Sequence, residues 1–267
     1  MAFDAVTVAA LKKELSDTFQ NTRIYKISEP DQNELMLTIK GNSSQYRLLI
    51  SADASLPLMY LTDDNKPAPL TAPNFCMLLR KHLQNAKIIS VTQPGLERII
   101  RITLEHLDEM GDLCRKHLIV ELMGKHSNII FTDDKDIIID SIKHVSHNVS
   151  SVREVLPGRE YFIPKTQDKV DPLNVEKAQF FSIIAGAHAP VSKALYMNFT
   201  GLSPILGTEI CYRAEVDGDA STSSLSDTET EALYKEFSAV MTAVKEGAFK
   251  PESSTTAPFP LNTQPFL

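Results

Sequence analysis

Tryptophan is absent from these 267 residues, and glycine, at ten, is sparse. The first absence argues against an aromatic-rich, lectin-like surface and the second against a low-complexity chain. Cysteine occurs only at Cys76, Cys114 and Cys211, each isolated. An odd, scattered set supplies neither a disulfide framework nor a zinc pairing, so a reducing compartment is the simplest expectation and no metal is predicted. No apolar run approaches the roughly 18 residues that suggest a membrane span. The opening MAFDAVTVAALKKEL lacks the order of a secretion signal: Asp4 interrupts the front of its short apolar stretch, and Lys12-Lys13 follow it. These absences point to a cytoplasmic protein with no membrane attachment, and no motif calls for a cofactor.

Composition is otherwise ordinary for a globular protein, with 43% hydrophobic and 23% charged residues. The length suffices for one large domain or two ordinary ones. A net charge of -7 argues against a general nucleic-acid sponge, but its distribution matters more. Residues 209–236 hold eight acids against Arg213 and Lys235, a net -6, which leaves the rest near neutral. A local basic face is therefore compatible with the acidic total.

Periodicity organises the chain. Residues 4–20 read as an amphipathic helix with Leu11, Leu15 and Phe19 at every fourth position and Asp4 as N-cap. Strands follow at RIYKI, NELMLTIK and YRLLIS, the last two joined by the hairpin turn GNSSQ. A second helix is predicted over 72–84, capped by Thr71, with Pro73 in its first turn. Its apolar stripe is Phe75, Leu79 and Leu83, with Arg80, Lys81 and Gln84 largely on the other side. KIISVTQ, LERIIRITLEHL, KHLIVELM, NIIFTD and DIIIDSI, separated by tight polar turns, suggest an antiparallel meander. The proline-punctuated, aperiodic stretch 156–172 reads as a linker or domain-edge strap. Beyond it, 174–214 reads as helical, DGDASTSSLSD as an exposed loop and 227–246 as a last amphipathic helix. The expected organisation is an α+β domain over 1–172, an α-helical domain over 173–250 and an irregular tail over 251–267 that begins a missing C-terminal part. No internal repeat is found.

Five places carry candidate chemistry. In PGLERIIRI, read as a strand, Leu96, Arg98, Ile100 and Ile102 share one face while Glu97, Ile99 and Arg101 share the other. Arg98 in an apolar row must be paired or point into a cleft, and spacing alone favours a structural ion pair. Glu121, inside LIVELM, is either a site acid or partner for Arg98, or a solvent-facing strand residue. Gly124-Lys125-His126-Ser127-Asn128 is not a nucleotide loop. The upstream glycine of that motif would fall at Ile119, and His126 occupies its Ser/Thr slot. As a hairpin turn it can still offer Lys125, Ser127 and Asn128 to a phosphate backbone. His144 and His147 are placed at a strand end rather than around a metal. Phe199-Thr200-Gly201-Leu202-Ser203-Pro204 has the form of a helix-hairpin-helix turn whose amides can bind phosphate. Ser203 replaces the usual second glycine and Pro204 removes an N–H, and Ser203 as N-cap with Pro204 at the first helical position is a sufficient structural account.

Taken in order, FDAVTVAALKKEL, FCMLLRKHL, QPGLERIIRI, LIVELMGKHSNII, IIIDSIKHV, VREVLPGREYFIP and NFTGLSP closely resemble the N-terminal part of the NFACT family, which includes the bacterial fibronectin-binding-protein/RqcH proteins. The resemblance spans essentially residues 1–250. It implies an NFACT-N domain of antiparallel sheets with flanking helices, similar to the N-terminal domain of formamidopyrimidine-DNA glycosylases, followed by an α-helical helix-hairpin-helix domain. Those glycosylases carry a terminal proline nucleophile, whereas this chain begins Met1-Ala2-Phe3, so neither glycosylase activity nor any catalytic residue is expected. The resemblance further implies ribosome quality control. The family binds large ribosomal subunits carrying stalled peptidyl-tRNA and recruits tRNA, alanyl-tRNA in bacteria, for C-terminal tailing of nascent chains. Peptide-bond chemistry stays with the ribosome. The family's Asp-Arg pair falls on Glu97-Arg98: Arg98 carries over directly, and Glu97 keeps the charge with one more methylene. The tRNA-binding candidates are thus Arg80, Lys81, Glu97, Arg98, Arg101, Glu121 and Lys125, with Arg80, Lys81, Arg98, Arg101 and Lys125 expected in one sheet-and-helix region. Gly201, Leu202 and Ser203 form the hairpin, structural or phosphate-binding. The family's older name implies an alternative, a surface adhesin that binds fibronectin or fibrinogen; the absence of an export signal counts against it.

Overall fold

The computed structural model describes residues 4–108, 110–164 and 168–249. Among them, 11–94 and 98–164 form a sheet unit, and 4–10, 95–97 and 168–249 form a helical unit. Met1-Ala2-Phe3, the tail expected over 251–267 and residues 165–167 of the expected strap lie outside the described residues.

The sheet unit is built on nine antiparallel strands: β1 (Arg23–Asp31), β2 (Glu34–Lys40), β3 (Gln45–Ser51), β4 (Leu58–Leu61), β5 (Lys87–Thr92), β6 (Ile99–Leu107), β7 (Leu113–Glu121), β8 (Asn128–Asp133) and β9 (Ile138–Ser141). Their order is β4-β3-β2-β1-β5-β6-β7-β8-β9, two meanders that meet where Arg23 pairs with Lys87. β4, four residues at the sheet edge, escapes sequence reasoning because so short a segment shows no alternation. β6 begins at Ile99, not at Leu96. The Pro94-Gly95 turn, with Gly95 at φ 53°, sends Leu96 into the apolar core of the helical unit, and strand geometry starts only after Arg98.

Helix α1 (Ala5–Thr18) starts as predicted: Asp4 Oδ1 accepts from the Thr7 N–H at 2.8 Å and from the Thr7 hydroxyl at 2.9 Å. Helix α2 (Asn74–Leu83) starts later than predicted. Thr71 does not cap it, and Pro73 occupies the cap position, extended at φ -61° and ψ 157° with no side-chain cap. The buried Glu29 of β1 lies close enough to this first turn for the Cys76 N–H to act on its carboxyl. Phe75, Cys76, Leu79 and Leu83 are buried, while α2's polar side chains finish the hydrogen bonding of β1. The Ile27 carbonyl accepts from Arg80 Nε at 2.9 Å and from the Cys76 thiol at 3.8 Å, and the Tyr25 carbonyl accepts from Gln84 Nε2 at 2.7 Å. A strand edge inside a protein needs such partners, because a buried carbonyl left unpaired is costly.

The proline-rich stretch is a strap over 156–164 rather than a linker. Together with 145–155 it is tied on by bridges between Val145 and Val155 and between Ile137 and Glu160. It buries Val155 and Tyr161 against Ile99, Ile119, Ile130 and Ile138.

The helical unit comprises α3 (Lys177–Gly186), α4 (Val191–Asn198), α5 (Pro204–Arg213) and α6 (Asp227–Glu246). Phe180, Phe199 and Phe237 form its centre, with ring centroids 4.7 to 5.5 Å apart. α6 matches its predicted span because both ends are signalled locally: Ser226 and Glu229 form a capping box, and Gly247 ends the helix at φ 65°. The loop expected to be exposed before it is only partly so, since Thr222 is buried in a short 3-10 turn.

Candidate functional site

Directly paired residues of antiparallel neighbours share a face. Ile99 pairs with Glu121 and Glu121 with Asn128; Arg101 pairs with Ile119 and Ile119 with Ile130. Glu121 and Arg101 therefore share the face covered by the strap. On the opposite face Ile102, Leu118 and Phe131 form one row. There His82 of α2 packs, with its ring 5.9 Å from Phe131 and 6.0 Å from His106. Arg80 and Lys81 belong to that helix. The expected cationic cluster is thus split, with Arg101 on one side of the sheet and Arg80 and Lys81 on the other.

Glu121 is fully buried, so it is not a solvent-facing strand residue, and its partner is not Arg98. Oε2 pairs with Arg153 Nη2, and Oε1 accepts from the Tyr161 hydroxyl at 2.9 Å. Arg153 also donates through Nη1 to the Phe162 carbonyl at 2.9 Å, and its guanidinium lies 5.5 Å from the Tyr161 ring centroid. Burial opposes the charge on Arg153, but Glu121 beside it holds its pKa above the ordinary arginine value. Burial, reinforced by the Glu121 carboxyl, pushes the Tyr161 hydroxyl well up, which keeps it a donor. Sequence reasoning missed Arg153 and Tyr161. A lone arginine followed eight residues later by a tyrosine in an aperiodic stretch gives no local sign of a shared partner.

Arg101 makes two contacts with Asp136, Nη1 to Oδ1 at 2.9 Å and Nη2 to Oδ2 at 3.1 Å. Burial and then the Arg101 charge hold the nearby His117 below its usual pKa.

Arg98 lies in the turn before β6 and is half-buried. Its carbonyl accepts from the Leu122 N–H at 2.9 Å, which extends the β6–β7 ladder by one bond and fixes the backbone. Among the described residues its guanidinium has no hydrogen-bond or ion-pair partner, so the structural ion pair favoured by spacing is not formed. Glu97 is half-buried and makes its own contacts. The expectation that the two side chains diverge from a strand does not apply, because neither residue is in one.

Lys125 is exposed in a 3-10 turn, Gly124–His126, at the end of β7 next to Leu122. Arg98 and Lys125 thus lie at one end of the β6–β7 ladder. Ser127 and Asn128 are not available to a phosphate. Both are buried: Ser127 Oγ accepts from the Met123 N–H at 2.8 Å, and Asn128 Nδ2 donates to the Lys143 carbonyl at 2.9 Å. His144, exposed, pairs with Asp140 at 2.6 Å, and among the described residues no group of three or more His, Cys, Asp or Glu side chains could hold a metal ion. No helix among the described residues is long and apolar enough to cross a membrane.

In the helical unit the α4–α5 hairpin is turned inward. Gly201 sits at φ +79°, and a Cβ there would lie 2.2 Å from the Leu96 carbonyl oxygen and 2.7 Å from Ala5 Cβ. Leu202 is buried in the core. Ser203 caps α5, accepting from the Leu206 N–H at 3.2 Å, and donates to Asp4 Oδ2 at 2.8 Å.

The chain matches the family model described as NFACT N-terminal and middle domains over residues 4–264. It is 34% identical over 256 residues to the Rqc2 homolog RqcH of Bacillus subtilis (strain 168), covering 96% of this chain and 43% of that protein. The structure of the N-terminal of the fibronectin/fibrinogen-binding protein from Streptococcus suis is similar with a TM-score of 0.76 at 32% identity, covering 88% of this chain and 84% of that one. The Homo sapiens protein named ribosome quality control complex subunit NEMF is 22% identical over 151 residues, covering 57% of this chain and 13% of that protein. The chain spans less than half the length of the curated relatives it matches.

Proposed function

The chain belongs to the NFACT family, and from that premise we propose that it is the tRNA- and ribosome-binding N-terminal part of a cytoplasmic ribosome quality control factor. In this reading the whole protein binds large subunits holding stalled peptidyl-tRNA and recruits tRNA, alanyl-tRNA in particular, for C-terminal tailing, with the ribosome performing the chemistry. Residues 1–172 act as the NFACT-N domain and 173–250 as the helix-hairpin-helix domain. What supports the reading is Arg98, a half-buried arginine whose backbone is fixed while its guanidinium lacks a partner among the described residues. Arginine matches phosphate geometry in a way few other side chains do. Arg98 and Lys125 make the RNA contacts in this reading; Glu97 is the neighbour in sequence that the family resemblance pairs with Arg98, and Lys81 is a further candidate on α2. Arg80, Arg101 and Glu121 hold the framework, and Gly201, Leu202 and Ser203 hold the hairpin.

tRNA binding measured against salt tests this. Arg98→Ala is expected to weaken binding roughly ten- to a hundredfold, consistent with about 1.5–3 kcal/mol for a charged hydrogen bond, and to flatten the salt slope by about one unit. Equal affinity and slope for both proteins removes Arg98 from the site. The similar Streptococcus suis structure carries the words fibronectin/fibrinogen-binding in its name, which keeps an adhesin as the second reading. Surface labelling of intact cells separates the two: a surface pool with no cytoplasmic pool supports the adhesin.

A further inference from the structure

We infer that the accessible end of one face of the β1–β3 meander, the two rows before the buried Ser28, Met36 and Leu49, is a second RNA-backbone contact surface, separate from Arg98 and centred on Lys40, Arg23, Lys26 and Tyr25. The register builds it. Lys87, Arg23 and Lys40 are paired in turn across β5, β1 and β2, and Gln45 of β3 follows Lys40. The next row along the same face holds Lys26, Thr38 and Arg47, again directly paired. Neighbouring strands are about 4.8 Å apart, so three cations sit side by side in the first row. Like charges directly opposite one another destabilise a sheet, which makes this an unusual way to build a purely structural surface.

Carboxylates are scarce there. None of the five cations has an ion-pair partner among the described residues. Arg23 and Arg47 donate instead to backbone carbonyls, of Asn85 at 2.9 Å and of Asp63 at 3.0 Å. Those carbonyls orient the guanidinium groups without neutralising them. The carboxylate that flanks Lys87 across β6, Glu105, is held by Arg115 at 2.7 Å. Asp63 and Asp64 border Arg47, which is why the centre of the surface lies on β1 and β2. There Tyr25 is the extra residue at a register shift between Ile24 and Lys26 and is 48% exposed, with Lys40 Nζ 3.3 Å from its ring centroid. A bulge re-aims a side chain out of the pleat. Here it presents an aromatic ring among cations, the combination that takes a stacked base between backbone phosphates. Charge complementarity therefore selects a phosphodiester backbone as occupant. The choice of RNA among such polyanions rests on the function proposed above.

The experiment uses the whole chain and a short RNA hairpin with a single-stranded overhang, unrelated to tRNA, so that its outcome does not depend on tRNA recognition at Arg98. Lys26→Gln/Lys40→Gln is compared with Lys193→Gln/Lys235→Gln, an equal charge change at two exposed lysines of the helical unit. The expected result is a roughly tenfold weaker complex for the first pair only, with the salt slope reduced by about 1.5 to 2 units. Equal affinity for both double variants overturns the proposal. So does a loss confined to anionic phospholipid vesicles or to an acidic peptide with RNA binding unchanged, since the occupant would then be a different polyanion. Loss of tRNA binding in Arg98→Ala without any effect of the Lys26/Lys40 change would leave the function proposed above standing and this surface refuted.

Discussion

A carboxyl group with no exposed surface needs partners for both oxygens, and Glu121 obtains them from a segment 32 and 40 residues further along the chain. That distance explains why sequence spacing offered only Arg98 or solvent as candidates. Glu121 itself was legible as an acid in an apolar strand, whereas Arg153 and Tyr161 sit where no period exists to read. Removing one side of a buried pair costs far more than removing both. Arg153→Met should lower unfolding stability by about 3–5 kcal/mol, and Tyr161→Phe by about 1.5–3 kcal/mol, as for hydrogen bonds to charged groups. Glu121→Met/Arg153→Met should recover most of the first loss. Urea unfolding midpoints at constant slope measure all three, and a double variant as unstable as Arg153→Met alone would mean that the pair does not act as a unit.

Among the elements, α2 shows best how a local ending can be decided from elsewhere. Its predicted cap at Thr71 fails because the chain is still extended at Pro73 and the helix begins only at Asn74, and the carboxyl near its first turn, Glu29, comes from β1, which no sequence window around α2 contains. Burial raises the pKa of Glu29, and the Cys76 N–H only partly offsets this. One of its carboxyl oxygens, Oε2, is buried without a partner. A carboxyl whose folded pKa lies above its unfolded one adds stability below the unfolded value and loses it as pH rises through the folded one. At pH 7 the charged Glu29 is therefore a burden. Glu29→Gln should raise the melting temperature at pH 7 by roughly 2 °C or more. The gain should vanish as pH falls below the ordinary carboxylate range. Calorimetry at pH 7 and pH 4 decides it, and a variant that melts lower at pH 7 would show that the helix N-terminus, which favours a negative charge, outweighs desolvation. α6 was fully legible because its capping box and terminal glycine lie within its own sequence. The start of β6 was not, because Leu96 answers to the core of the helical unit rather than to the strand period.

For the whole molecule, net charge was misleading and its distribution informative. A total of -7 conceals a tract of net -6 over 209–236, and the sheet unit carries the cationic rows. Composition could bound that possibility but not locate it, since Arg23, Lys26, Lys40 and Lys87 meet only through strand register. The seven residues expected around one RNA site were legible as chemical types, but which side of the sheet each one occupies was not. Arg98 is the member that leaves its guanidinium without an intramolecular partner among the described residues. A photo-crosslinking side chain at position 98, introduced in cells that make the protein, tests its role most directly, with position 193 as the exposed control. A tRNA site predicts that tRNA dominates the RNA crosslinked from position 98 and is several-fold enriched over position 193. RNA recovered equally from both positions, or none from position 98, would contradict it.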